Sequence, residues 1–279
     1  MVGQSEQRPT EITDVDDRRL ELYRHLTDAE ARRSLEAEHG VFVVEGVTAI
    51  ERLLRSERRV RSLLLLAHQA ERLAPALAGR DVPIYVGSRQ LLAATAGFDV
   101  HRGALAIAER PALSDLEDVV RGARLLAVLE GLTDPVNLGA IARSARALGV
   151  DALLLDPTCA DPLYRRAVRV SMGEILFLPW TRVSRWPDGL ARLREVGITL
   201  VALTPAPDAI PIDELVTSGP PSRLALLLGT EGPGLSAAAL AACDLRVRIP
   251  LRDGVDSLNV GHAAAIAFHL LGRPDVRTD

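Results

Sequence analysis

Leu226-Leu227-Leu228-Gly229-Thr230-Glu231-Gly232-Pro233-Gly234-Leu235-Ser236 carries an apolar run into a turn with three glycines, a proline and one carboxylate. The run begins at Leu224 and does not alternate, so it reads as a strand buried on both faces. Glycine lets a backbone approach a ligand closely. The spacing of Gly229, Gly232 and Gly234 does not fit G-x-G-x-x-G, and no Gly-Lys-Ser/Thr is present, so neither common nucleotide loop applies. Read alone, the stretch is as well explained by a tight strand-to-helix turn.

Two further stretches repeat the pattern of strand, polar loop and helix. Residues 124–129, apolar after Arg124, lead through a turn into Asp134-Pro135-Val136-Asn137-Leu138-Gly139-Ala140-Ile141-Ala142-Arg143-Ser144-Ala145-Arg146. At 100° per residue, Leu138, Ile141, Ala145 and Leu148 share one face, Arg143 points roughly opposite and Arg146 lies on the flank. Asn137 is read as the N-cap of a helix over 138–148 ending at Gly149. Such a helix start suits an anion, and the two arginines suit a phosphate. Residues 245–249 lead into Pro250-Leu251-Arg252-Asp253-Gly254-Val255-Asp256-Ser257-Leu258-Asn259-Val260. There Ser257 or Asn259 is placed to cap a last helix over 260–271. His262 follows and is left outside the site, since a lone histidine is more often structural.

Further strands are expected at 152–155, 175–179 and 198–203, and helices at 162–171 and 187–195. Near-continuous apolar strands predict a parallel sheet covered on both faces. Ahead of them, strands at 41–44, 60–66, 82–86 and 103–108 alternate with helices at 19–37, 46–54, 68–77 and 89–95, which makes a small α/β domain. The expected organisation is a flexible tail over 1–18, a first domain over 19–110, a linker over 111–122 and a second domain over 123–279.

The chain of 279 residues has net charge −4, and all 33 basic residues are arginine. Taken whole, that charge argues against nucleic acid. Its distribution does not: residues 1–18 hold two arginines and five acids, whereas 19–110 hold fourteen arginines and twelve acids. Two cysteines, Cys159 and Cys243, are too few for a disulfide scaffold or a thiolate zinc cluster, so no metal is expected and a reducing cytoplasm is the default. No apolar run approaches the ~18 residues of a membrane span, and the polar, acidic start does not read as a signal peptide.

Together, the three loops resemble the SpoU-like (TrmH-type) RNA ribose 2′-O-methyltransferases of the SPOUT superfamily. The resemblance covers residues ~123–272. The stretch Ala160-Asp161-Pro162-Leu163-Tyr164-Arg165-Arg166-Ala167-Val168-Arg169-Val170-Ser171-Met172-Gly173 is similar to the family's segment between its first and second motifs. Val44-Glu45-Gly46 and Gly97-Phe98-Asp99-Val100-His101-Arg102-Gly103 are fainter marks of an L30e-like substrate-binding domain. One departure is Gly261-His262, where the family more often places small or hydroxylated residues.

The resemblance implies a deep trefoil knot over about 224–271, which connection rules alone would not predict. It implies a homodimer packed through the knot, with each site completed by both subunits. The implied reaction is methyl transfer from S-adenosylmethionine to a ribose 2′-hydroxyl of structured RNA, ribosomal RNA ahead of transfer RNA. Thr204, Gly229, Gly232, Ile249 and Leu258 would hold the cofactor. Asn137, Arg143, Glu231, Ser257 and Asn259 match the catalytic positions. Arginine stays protonated in proteins, and neutralising one at pH 7 costs on the order of 7 kcal/mol. The resemblance implies that Arg143 activates the hydroxyl while the other four position it and the arginine; set against a base at that position is an electrostatic clamp, with Glu231 or water taking the proton. Arg146, Arg165, Arg166 and Arg169 are the candidate RNA contacts, joined by Arg58, Arg59 and Arg61. With nine aromatics in the chain, phosphate and shape contacts would dominate. The rivals are a catalytically idle RNA-binding protein and a dehydrogenase-like enzyme; the latter lacks its G-x-G-x-x-G.

Overall fold

The structure, a computed structural model, describes residues 9–272. It divides into two compact units. The first holds the described residues up to Ala112 together with Leu163–Leu176; the second holds Leu113–Pro162 and the described chain from Phe177.

In the first unit, five strands form one mixed sheet: β1 (Thr10–Glu11), β2 (Val41–Glu45), β3 (Val60–Leu65), β4 (Ile84–Val86) and β5 (Ala104–Glu109). The order is β1-β4-β3-β5-β2. β1, β4 and β3 run parallel, and β5 runs antiparallel to both β3 and β2. All five residues of β2 are buried, as its unbroken apolar run predicts, and Glu45 at its end is buried with them.

Three expectations change here. Residues 9–18 are not a loose tail, because Thr10–Glu11 pairs with β4 and Ile12 is buried. The helix expected over 19–37 is split into a 3₁₀ turn, Arg18–Tyr23, and a helix, Ala29–His39. His25 at φ 56 breaks the run, and Asp28 then caps the second piece through the Glu30 and Ala31 amides. Leu163–Leu176 was expected in the second domain, and it packs with the first unit through Arg165–Val170 on β2.

The second unit carries β6 (Leu125–Leu129), β7 (Ala152–Leu155), β8 (Trp180–Arg182), β9 (Thr199–Leu203), β10 (Ile210–Pro211), β11 (Leu224–Leu228) and β12 (Leu245–Arg248). Its sheet is parallel throughout, in the order β10-β12-β9-β11-β6-β7-β8. This is the parallel α/β architecture expected. β6, β7 and β11 are fully buried, which is why they read as continuous apolar runs. The strand expected over 175–179 is instead a 3₁₀ turn, Glu174–Leu176, and the chain joins β7 only from Trp180. The expected linker contains a short helix, Leu116–Val120, whose Val120 enters the core.

The helix Pro135–Ala147 follows β6, and the last helix, Val260–Leu271, packs against it. Two strands, β9 and β11, lie between β12 and β6 in the sheet, so the chain must return across them to make that contact. The loops after β6, β9, β11 and β12 therefore gather at the carboxyl ends of the strands, where open α/β sheets bind ligands.

Candidate active site

Three of these loops meet on one carboxamide. Asn259 caps Val260–Leu271, its Oδ1 accepting from the amides of Gly261 at 3.0 Å and His262 at 3.3 Å. With the oxygen committed to the helix, Nδ2 faces outward. It donates to Asn137 Oδ1 at 3.2 Å and to Glu231 Oε1. One side chain thus ends a helix and ties the β6, β11 and β12 loops together.

Asn137 reaches this position because it does not cap its own helix. Asp134 is the cap, accepting from the Val136 amide at 3.0 Å, and Pro135 takes the first helical position. That corrects the expected cap at Asn137 and leaves its side chain for Asn259.

Glu231 sits in a loop folded back on itself. The Gly234 amide donates to the Thr230 carbonyl at 3.1 Å, and the two residues form an antiparallel bridge. A Cβ on Gly229 would overlap the Gly234 carbonyl carbon and the Leu235 nitrogen. Gly232 and Gly234 have φ of +84° and +72°, which favours glycine at both. The glycines are thus needed first by the loop's own closure.

Beside these groups lies a pocket of about 340 Å³. Leu203, Thr204 and Pro205 form one wall, residues 228–232 a second, and Ile249, Leu251 and residues 257–260 a third. Thr204, Gly229, Gly232, Ile249 and Leu258 all line it, as do Glu231, Ser257 and Asn259. Among the described residues, no group of three or more His, Cys, Asp or Glu is placed to hold a metal ion.

Residues 124–269 match the model of the SpoU rRNA methylase family. The chain belongs to this family. A relative from Mycobacterium bovis, an uncharacterised tRNA/rRNA methyltransferase, is 44% identical over 259 residues, covering 93% of this chain and 90% of that one. The 23S rRNA (guanosine-2′-O-)-methyltransferase RlmB of Escherichia coli is 32% identical over 81% of this chain and 96% of its own. Among solved structures, the SpoU methyltransferase AviRb from Streptomyces viridochromogenes, in complex with AdoMet, superposes with a TM-score of 0.75. It shares 29% identity and covers 91% of this chain and 97% of that one.

Within this SpoU chain the other expected site residues stand apart. Arg143 and Arg146 are exposed on Pro135–Ala147, and neither lines the pocket. In the first unit, Arg165 is buried: Nη1 donates to Glu45 Oε2 at 2.7 Å, and the guanidinium lies 4.2 Å from the Phe98 ring centroid. Arg169 donates to the other oxygen of Glu45 at 2.6 Å. A fully buried carboxylate needs such partners. Arg165 is therefore a structural cation and not an RNA contact, while Arg166 is exposed. The two faint marks of the first domain, Glu45 and Phe98, turn out to meet on Arg165. Arg59 and Arg61 are exposed and share Glu109, at 3.5 and 3.3 Å.

The sequence reading missed Glu130, Trp186 and Ser236. Glu130 accepts hydrogen bonds from the other two beneath the β11 loop. An acidic residue directly after an apolar strand was the one available signal.

Proposed function

We propose that this protein transfers a methyl group from S-adenosylmethionine to a ribose 2′-hydroxyl of ribosomal RNA. The observation that carries the reading is the Asn259 bridge to Asn137 and Glu231 beside the 340 Å³ pocket. The pocket fits the cofactor: apolar side chains from three strand ends flank it, as an adenine ring needs, and the Glu231 carboxylate suits a cationic ligand. When bound there, the cofactor supplies an electrophilic methyl group on a sulfonium.

Thr204, Gly229, Gly232, Ile249 and Leu258 would hold that cofactor. Asn259 fixes Glu231 through Oε1, which leaves Oε2 to receive the proton of the attacking hydroxyl. Asn137 and Ser257 orient the ribose. Arg143 stays charged, holds the RNA phosphate and stabilises the developing alkoxide.

Arg143 does so from the partner subunit. It lies six residues beyond Asn137, about 9 Å along the helix and about 120° around it, so the two cannot face one pocket. Val136, Leu258 and Ile266 are 44%, 36% and 39% exposed, an apolar surface beside the site that supports a homodimer packed there. The return of Val260–Leu271 onto Pro135–Ala147 supports the trefoil knot.

The first unit, with a mixed five-stranded sheet, is proposed to carry an L30e-like RNA-binding domain over 19–110; Arg166 and Arg169, and in the second unit Arg146, are the candidate RNA contacts. The reading includes a cytoplasmic enzyme, which the free cysteines Cys159 and Cys243 support.

The experiment is transfer of labelled methyl groups to unmodified ribosomal RNA and, separately, to transfer RNA. Label in the ribosomal sample as 2′-O-methylribose is the expected result. Label confined to transfer RNA overturns the substrate, and label in neither overturns the activity.

A further inference from the structure

Glu130 follows β6 directly, and it is 8% exposed. Three donors converge on its carboxylate. Oε1 accepts from the Trp186 indole at 2.6 Å and the Ser236 hydroxyl at 2.7 Å, and Oε2 accepts from the Ser236 amide at 2.8 Å. Among the described residues no ion pair involves Glu130, so hydrogen bonds alone offset its desolvation. A position that only filled space would be better served by an apolar side chain.

The placement of those bonds is specific. The Glu130 amide donates to the Leu228 carbonyl at 2.9 Å, where the β11 loop begins. Its carboxylate holds Ser236, where the loop ends, and Ser236 Oγ in turn accepts from the Ala239 amide at 3.1 Å to cap Ala237–Ala242. One residue therefore grips both ends of the segment 229–236, which carries Glu231 and one wall of the pocket. Glu130 itself does not line that pocket.

We propose that Glu130 is a positioning residue that clamps the loop 229–236, and through it sets Glu231 and the cofactor wall. The proposal rests on the cofactor reading above for its ligand. It rests on the hydrogen bonds alone for its mechanics.

Glu130→Gln tests it without opening the core. The amide is nearly isosteric, but its single oxygen cannot replace both carboxylate oxygens. If that oxygen keeps Trp186 and the Ser236 hydroxyl, the NH₂ group confronts the Ser236 amide donor. Ser236→Ala removes the hydroxyl link, whereas Trp186→Phe removes the third donor and leaves the clamp intact.

Affinity for S-adenosylhomocysteine is measured by calorimetry on the full-length protein. Backbone hydrogen exchange is measured on the same variants without ligand. Glu130→Gln is expected to weaken binding about tenfold, and to speed exchange over 229–236 while β6 and β11 keep their protection. The double variant with Ser236→Ala is expected to lose much less than the product of the single losses, and Trp186→Phe to stay within about twofold of wild type. Wild-type affinity and exchange in Glu130→Gln would overturn the clamp. So would a Trp186→Phe loss equal to that of Glu130→Gln, which would mark an effect of core packing. A wild-type protein that does not bind S-adenosylhomocysteine would count against the cofactor reading instead, and the exchange comparison would then decide the clamp.

Discussion

Asn259 does two jobs with the two ends of one carboxamide. Its oxygen is spent on a helix terminus, which fixes the direction of its nitrogen, and the nitrogen holds Asn137 and Glu231. Capping was legible from the sequence, because Asn before an apolar helix is a strong cap signal. The bridge was not, since its partners lie 122 and 28 residues away. Asn259→Asp separates the two jobs. Aspartate caps as well as asparagine, but it offers Glu231 a like charge in place of a donor. Folding stability is expected to stay within about 1 kcal/mol of wild type, while methyl transfer falls about 100-fold. A thermal melt beside a single-turnover assay checks this, and near-normal turnover would detach the bridge from catalysis. Asn137 shows the converse limit. The sequence placed it at a helix start, yet the cap is Asp134, and only the tertiary contact shows what Asn137 is for.

At the scale of elements, the parallel sheet was legible because its central strands are buried on both faces and are apolar without interruption. The edges were not. β10 is two residues long, and β8 starts later than its apolar run suggests because the preceding turn belongs to the first unit. Arg165 belongs with these misses: its segment reads as a basic helix, and its burial follows from Glu45, 120 residues earlier. The β11 loop was legible as glycine-rich but not for its reason. Gly229 admits the returning backbone of Gly234 and Leu235, so Gly229→Ala forces the loop open. Such crowding is expected to cost about 1–3 kcal/mol of stability. Affinity for S-adenosylhomocysteine is expected to fall by more than about tenfold. Denaturant unfolding and calorimetry on the same preparation check both effects. Full stability with full affinity would show that the loop tolerates a wider path.

For the whole molecule, net charge was a poor guide, because acid and base are distributed unevenly along the chain. The proposed pairing of Arg143 with a partner's pocket has a clear test. Arg143→Ala and Asn259→Ala are each expected to be inactive alone. Mixed dimers carry one site with both defects and one with neither, so unfolding and refolding an equal mixture should restore about a quarter of wild-type activity. No recovery would place Arg143 and Asn259 of one chain in the same site. The pocket and its Asn259 bridge are proposed to direct a methyl group onto a ribose oxygen of ribosomal RNA. A 2′-O-methyl group removes the nucleophile that cleaves the neighbouring phosphodiester in alkali, so its position can be read as a gap in a hydrolysis ladder. Ribosomal RNA from cells lacking the protein should show no such gap at the target nucleotide. Cells expressing the wild type should show it, and cells expressing Asn259→Asp should not. Identical ladders from all three would show that the protein places no methyl group on a ribosomal RNA ribose.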